Sequence, residues 1–277
     1  MSSAGVLRPG EDGKRVGSAA TSASGVPTVS LVGISKTYAD NVAALSEVSF
    51  DVARGEFVVI LGPSGAGKST LMRSINRLAV PTRGQVFLNG QEITDRKREL
   101  RRARGQIGMI FQQFNLVKRL PVITNVLCGR LSHRSTWRSL FYSFTREDRA
   151  IALAALAQVG LESKTFQRAD TLSGGEQQRV AIARALAQKP NLILADEPVA
   201  SLDPKNARQV LQCLKQVAAE LGISVICNLH QIDYAREYAE RIVGLAHGKI
   251  VFDGPVDKLT DDVLRHIYGE QRESGHG

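Results

Sequence analysis

Gly62, Pro63, Ser64, Gly65, Ala66, Gly67, Lys68, Ser69 and Thr70 follow directly on the apolar run Phe57 to Leu61 and precede a helical pattern. Glycines at this spacing let successive backbone N–H groups turn inward as an anion nest, and the following helix aims its positive end at the same point. Lys68 adds a mobile charge suited to β and γ phosphates, and the Ser69 hydroxyl is suited to Mg²⁺. The chemistry expected of these residues is the binding of a nucleoside triphosphate.

A second apolar run, Leu192 to Ala195, ends in Asp196 and Glu197. In a parallel sheet the carboxyl end of a strand opens on the ligand crevice, which would set both carboxylates beside the phosphate loop. Asp196 would then hold Mg²⁺, through water, and Glu197 would polarise the water that attacks the γ-phosphate. Taken alone, the pair also reads as a helix cap followed by a surface glutamate. A third segment, Leu172 to Arg179, carries Ser173, Gly174 and Gly175 in front of the helical run Val180 to Ala187. That arrangement is a second phosphate nest or a helix cap with a flexible approach.

The elements that must position these residues are legible in outline. Val29 to Ile34 and Val48 to Val52 alternate as strands, and Gly84 to Gly90 is a third that closes in an Asn-Gly turn. They predict an antiparallel β layer ahead of the nucleotide core. Residues from about 120 to 168 read mainly as helices, clearest from Ala150 to Ala157. After them, Leu192 to Asp196, Asn206 to Leu221 and Ile223 to Leu229 alternate strand with helix, as in a mostly parallel sheet covered on both faces. The fold class expected is α/β, a phosphate-loop core with an antiparallel layer and an inserted helical subdomain at about 115–190. Residues 1–27, rich in Ser, Ala and Gly, read as a disordered tail, 28–270 as the ATPase domain, and 271–277 as a second tail.

The chain has 277 residues, 43% of them hydrophobic, and a net charge of +9 with a pI near 9.7. No stretch approaches the roughly 20 apolar residues of a membrane helix, and the first residues lack the apolar core of a signal peptide. The expected location is cytosolic or peripheral to a membrane. Cys128, Cys213 and Cys227 are too far apart for a zinc site or disulfide framework and read as reduced thiols. The charge suits nucleic acid, anionic lipid or a nucleotide. Arg96 to Arg104 reads either as a solvated helix with one buried edge or as a membrane-adjacent or nucleic-acid surface.

Phosphate loop, Ser173-Gly174-Gly175 segment and Asp196-Glu197 pair, in this order, resemble the ATP-binding-cassette (ABC) ATPases. The resemblance runs from about Val29 to Tyr268. It implies that Tyr38 stacks on adenine, that Gln112 joins the two subdomains and reaches the metal and the attacking water, and that Asp203 crosses a dimer interface. His230 matches the switch histidine on the γ-phosphate. Two such subunits would pack head to tail, Ser173, Gly174 and Gly175 of one completing the ATP site of the other, so a homodimer with ATP and Mg²⁺ is expected.

Gly129 to Phe144 is basic and aromatic, and with Ala195 to Asp203 and Asn228 to Tyr238 it is similar to the phosphonate-import ATPases. Trp137, Phe141 and Phe144 either fill the subdomain core or, with Arg138, dock a short helix of a permease, and both can hold. The resemblance implies integral membrane permease subunits, a periplasmic or extracellular solute-binding protein acting through them, and a place on the cytoplasmic face of the inner membrane. Phosphate, phosphite or polar amino-acid import are the alternatives within the class. A soluble ABC ATPase acting on nucleic acid is a different class, disfavoured by a single cassette with a compact helical subdomain, so no nucleic-acid partner is expected.

Overall fold

A computed structural model describes residues 25–39, 41–133 and 144–269. The expectations for residues 1–24 and 270–277, and for Trp137, Arg138 and Phe141, fall outside the described residues. Strands β1 (Val29–Thr37), β2 (Ala43–Val52), β4 (Arg83–Leu88) and β5 (Gln91–Glu92) form an antiparallel sheet in the order β2-β1-β4-β5. The second sheet contains β3 (Phe57–Leu61), β6 (Ile107–Ile110), β7 (Leu192–Asp196), β8 (Ser224–Asn228), β9 (Arg241–Ala246) and β10 (Lys249–Pro255). Its order is β10-β9-β3-β8-β7-β6, parallel throughout except for the antiparallel edge strand β10.

Every residue of β3, β7 and β8 is buried, because this sheet is covered on both faces. The two-residue period of a strand divides those side chains between two apolar clusters. Val59, Leu61, Ile193, Ala195 and Val225 face a cluster built largely with helices, whereas Val58, Ile60, Leu192, Leu194 and Ile226 face one shared with the antiparallel sheet. The phosphate loop leaves β3 between these layers, so burial on both sides fixes its base.

The helices are α1 (Lys68–Ile75), α2 (Lys97–Gly105), α3 (Val122–Leu127), α4 (Arg146–Gln158), α5 (Gly174–Leu186), α6 (Pro204–Leu221), α7 (Ile232–Tyr238) and α8 (Asp261–Tyr268). Their starts follow from capping residues. Thr145 and Asp148 form a reciprocal capping box on α4, Ser173 and Glu176 form another on α5, and Asp203 caps α6 ahead of Pro204. Gly222, in the left-handed conformation, ends α6.

Helix α2 is the basic run: Leu100 and Ala103 pack on the second cluster while most of its charged residues stay exposed, as a solvated helix with one buried edge requires. Arg104 reaches back to Asn76 O and Arg77 O, both at 3.1 Å, and satisfies carbonyls at the end of α1. The described residues between 120 and 168 are mainly helical, as expected, with loops that pair where the region begins and ends. Pro121 pairs with Arg168, and the amides of Val122 and Ile123 bond to Gln167 O and Thr165 O, because two loops close against each other there. Cys227 is buried and Cys128 and Cys213 are half-buried, all three as free thiols; burial pushes the Cys213 thiol up to about 11.

Candidate functional site

Gly67 caps α1 with φ 101°, and a Cβ at that position would stand 2.4 Å from the carbonyl oxygen of Ala44, so only glycine fits. The first turn of α1 holds no acidic side chain, and its leading amides have no partner within the helix. Ser64, Gly65, Ala66, Gly67, Lys68, Ser69 and Thr70 line a cavity of about 360 Å³ that Ala44, Glu197 and His230 complete. Gly62 and Pro63 act from behind it: Lys68 Nζ donates to their carbonyl oxygens at 2.7 and 2.9 Å. Burial holds the Lys68 ammonium below the usual lysine range, against the opposing pull of Glu197 and Asp196. An anion arriving at the loop would relieve that cost.

Asp196 ends β7 and receives two hydrogen bonds on one oxygen, from Ser69 Oγ and from Asn228 Nδ2, both at 2.9 Å. Asn228, which the sequence reading did not single out, ends β8 in register with Asp196. Its Oδ1 is buried and lacks a partner among the described residues. The only cue to it in the sequence was a polar residue closing an apolar strand.

Beyond those strand ends the chain carries Glu197 and His230 to a common place, with His230 Nε2 2.5 Å from Glu197 Oε1. Glu197 adopts φ 51°, a left-handed conformation uncommon outside glycine, with its amide held by Asn228 O at 3.2 Å. Such backbone strain persists only where surrounding contacts over-determine it, and here it aims the carboxylate at the phosphate loop.

Tyr38 is 44% exposed beside α1, its hydroxyl 3.4 Å from Thr70 Oγ1 and the Lys36 ammonium 5.1 Å above its ring. The remaining expected residues form a second group, none lining the cavity around Lys68. Gln112 shares a separate cavity of about 550 Å³ with Phe114, Asn115, Gln177 and Ser201. Ser173 caps α5, and a Cβ on Gly175 would lie 2.8 Å from Asn206 Oδ1, so the segment packs closely on the start of α6. Asp203 accepts from the amides of Lys205 and Asn206 at 3.1 Å and caps that helix.

Among the described residues no group of three or more His, Cys, Asp or Glu could hold a metal ion. A hydroxyl and a carboxylate oxygen converging at Ser69 and Asp196 suit a hard cation that takes most of its ligands from water and phosphate, which is the habit of Mg²⁺. The loop, lysine, acidic pair and histidine together can bind a triphosphate and direct a water at its end. No described helix is long and apolar enough to cross a membrane.

Residues 45–200 match the family model described as ABC transporter. The chain is 55% identical over 227 residues to the "Phosphonates import ATP-binding protein PhnC 2" of Rhodopseudomonas palustris strain BisB18, covering 82% of this chain and 84% of the relative. It is 52% identical over 238 residues to the "Phosphonates import ATP-binding protein PhnC" of Bacillus thuringiensis subsp. konkukian, covering 86% and 93%. Among solved structures it resembles the dimeric post-hydrolysis state of the ATP-binding cassette MJ0796 bound to ADP and Pi. That match has a TM-score of 0.70 and 37% identity, over 82% of this chain and 98% of the other.

Proposed function

The chain belongs to the ABC transporter family as an ATP-binding, ATP-hydrolysing subunit, and from that premise we propose that it powers phosphonate uptake through a separate membrane permease. The observation that carries the reading is the convergence of Lys68, Ser69, Glu197 and His230 around one cavity, with Asp196 bonded to Ser69 behind it. Relatives named for phosphonate import, at 50 to 55% identity over most of the chain, support the substrate class.

Binding uses the loop amides and Lys68, whose ammonium exchanges the carbonyls of Gly62 and Pro63 for phosphate oxygens. Tyr38 offers one ring face to adenine while Lys36 lies over the ring. Glu197, held by His230, orients a water and takes its proton as it attacks the γ-phosphorus, and His230 contacts the same phosphate. Ser69 and Asp196 would hold Mg²⁺, which when bound neutralises charge on the phosphates.

Ser173, Gly174, Gly175 and Asp203 do not line the Lys68 cavity of their own chain. This separation supports a head-to-tail homodimer in which the amide-rich start of α5 closes over the ATP of the partner. The dimer would sit on the cytoplasmic face of the membrane against permease subunits that receive solute from a binding protein. ATP would close it and product release reopen it.

The test is uptake of radiolabelled methylphosphonate and of phosphate by cells holding the neighbouring transport subunits with either the intact chain or Lys68→Ala. Selective loss of methylphosphonate uptake is the expected result. Loss of phosphate uptake alone would change the substrate, and no change in either would remove the transport reading.

A further inference from the structure

Helix α5 starts at the Ser173 cap, and side chains along it hold the loop that carries Gln112. Arg184 donates through Nη1 to Asn115 O at 2.6 Å and through Nη2 to Phe114 O at 3.0 Å. Nearer the cap, Gln178 Nε2 donates to Phe111 O at 3.5 Å, and Gln177 lines the cavity that contains Gln112. Both ends of the 111–115 segment are thus attached to a single helix. Arg184 is half-buried, and a planar guanidinium with two donors on consecutive carbonyls fixes their direction as well as their distance. Gln178 is fully buried with its Oε1 unpartnered among the described residues, while the Arg184 bond to Phe114 O is part-buried and the one to Asn115 O lies at the surface.

We propose that Arg184 is a positioning residue for hydrolysis, making the Gln112 loop and the helix that begins at Ser173 one mechanical piece. A displacement of Ser173 as it meets the partner's nucleotide then moves Gln112 with it, and the two ATP sites of a dimer are coupled through the body of α5. The inference rests on the reading of Gln112 and Ser173 as site residues. Lysine cannot substitute fully, since its ammonium is a single point donor on a flexible stem.

The experiment measures kcat and KM for ATP with the full-length chain assembled with its permease, for R184M, R184K, Q112A and the R184M/Q112A pair. Methionine keeps an apolar stem and removes the fork. R184M should lower kcat about tenfold and R184K less, with KM within about twofold of wild type, because Arg184 does not line the Lys68 cavity. The double variant should be little worse than the poorer single one, since both changes act through one loop. A wild-type kcat in R184M, or losses that simply multiply in the pair, overturns the inference while an impaired Q112A keeps the role of Gln112. Wild-type activity in Q112A overturns the role of Gln112 and this inference with it. Should R184M fail to fold by circular dichroism, the R184K/Q112A pair is read in the same way.

Discussion

His230 Nε2 lies 2.5 Å from Glu197 Oε1, although 33 positions separate the two residues in sequence. Their meeting follows from strand register. Asp196 pairs with Asn228 across the parallel strands β7 and β8, so the chain delivers the next residue of one and the second residue after the other to the same edge. An imidazole against a carboxylate fixes the carboxylate's direction, and the left-handed backbone at Glu197 leaves it little freedom to turn away.

Glu197→Gln keeps the shape and can still bond to His230, but an amide cannot accept the proton of the attacking water. Turnover should fall by at least about 100-fold while ATP affinity is retained. With hydrolysis blocked, an ATP-bound dimer should accumulate on gel filtration. A mutant that turns over like the wild type would remove Glu197 from the general-base role.

Lys68 gives a pH dependence of nucleotide binding with a definite sign. Burial depresses its pKa below the ordinary 10.5, so the free protein loses this proton at a lower pH than an exposed lysine does. Phosphate oxygens favour the ammonium and raise the pKa again. Between the depressed value and 10.5, binding therefore takes up a proton, and affinity falls as pH rises through that window. The same depression means that the unfolded chain binds more protons there, so the nucleotide-free fold gains stability as pH rises across it. Calorimetric titration in alkaline buffers of different ionisation enthalpy should report the uptake, and Lys68→Met should abolish it.

Much of this site could be read from residues alone because its parts are local. The Gly62 to Thr70 loop, the buried strand that leads into it and the capping Ser173 each declare themselves within a few positions. Asn228 did not, because its bond to Asp196 exists only through the pairing of two strands 32 residues apart. The attachment of Arg184 to Phe114 and Asn115 is likewise a product of packing, across 69 or 70 residues. The β9–β10 hairpin escaped for another reason. Most residues of β10 are half-buried with no clean alternation, and the turn at His247 and Gly248, both with positive φ, was its one local signal.

Gly175→Ala tests how tightly the Ser173 segment is set against α6. The new methyl would stand 2.8 Å from Asn206 Oδ1 and 3.1 Å from Asn206 Cγ, and Asn206 Nδ2 is bonded to Asp203 Oδ2 at 2.5 Å. Asn206 can move only by disturbing the cap of α6. The expected stability loss is about 1–2 kcal/mol by chemical denaturation. ATP turnover should fall more than that loss predicts, since Asp203 and Ser173 are both displaced. Unchanged turnover would show that the partner's site does not use this surface.

Arg130 and Asp148 carry a prediction about folding rather than chemistry. Their side chains are only 10% and 8% exposed, with Arg130 Nε 3.1 Å from Asp148 Oδ1 and Nη1 2.8 Å from Ala187 O. One guanidinium thereby ties the start of α4 to the residue just after α5. Arg130→Met would remove the Arg130 guanidinium from beside the buried Asp148, which still accepts from the amide and hydroxyl of Thr145. Breaking a buried pair from one side costs about 3–5 kcal/mol, and the surviving Thr145 bonds place this case near the lower figure. Replacing both partners, Arg130→Met with Asp148→Leu, removes the buried carboxylate but also the α4 capping box, so part of the loss should return and part should persist. Denaturant midpoints for the two variants decide it: a single mutant as stable as the wild type would mean that the pair contributes nothing to holding α4 against α5.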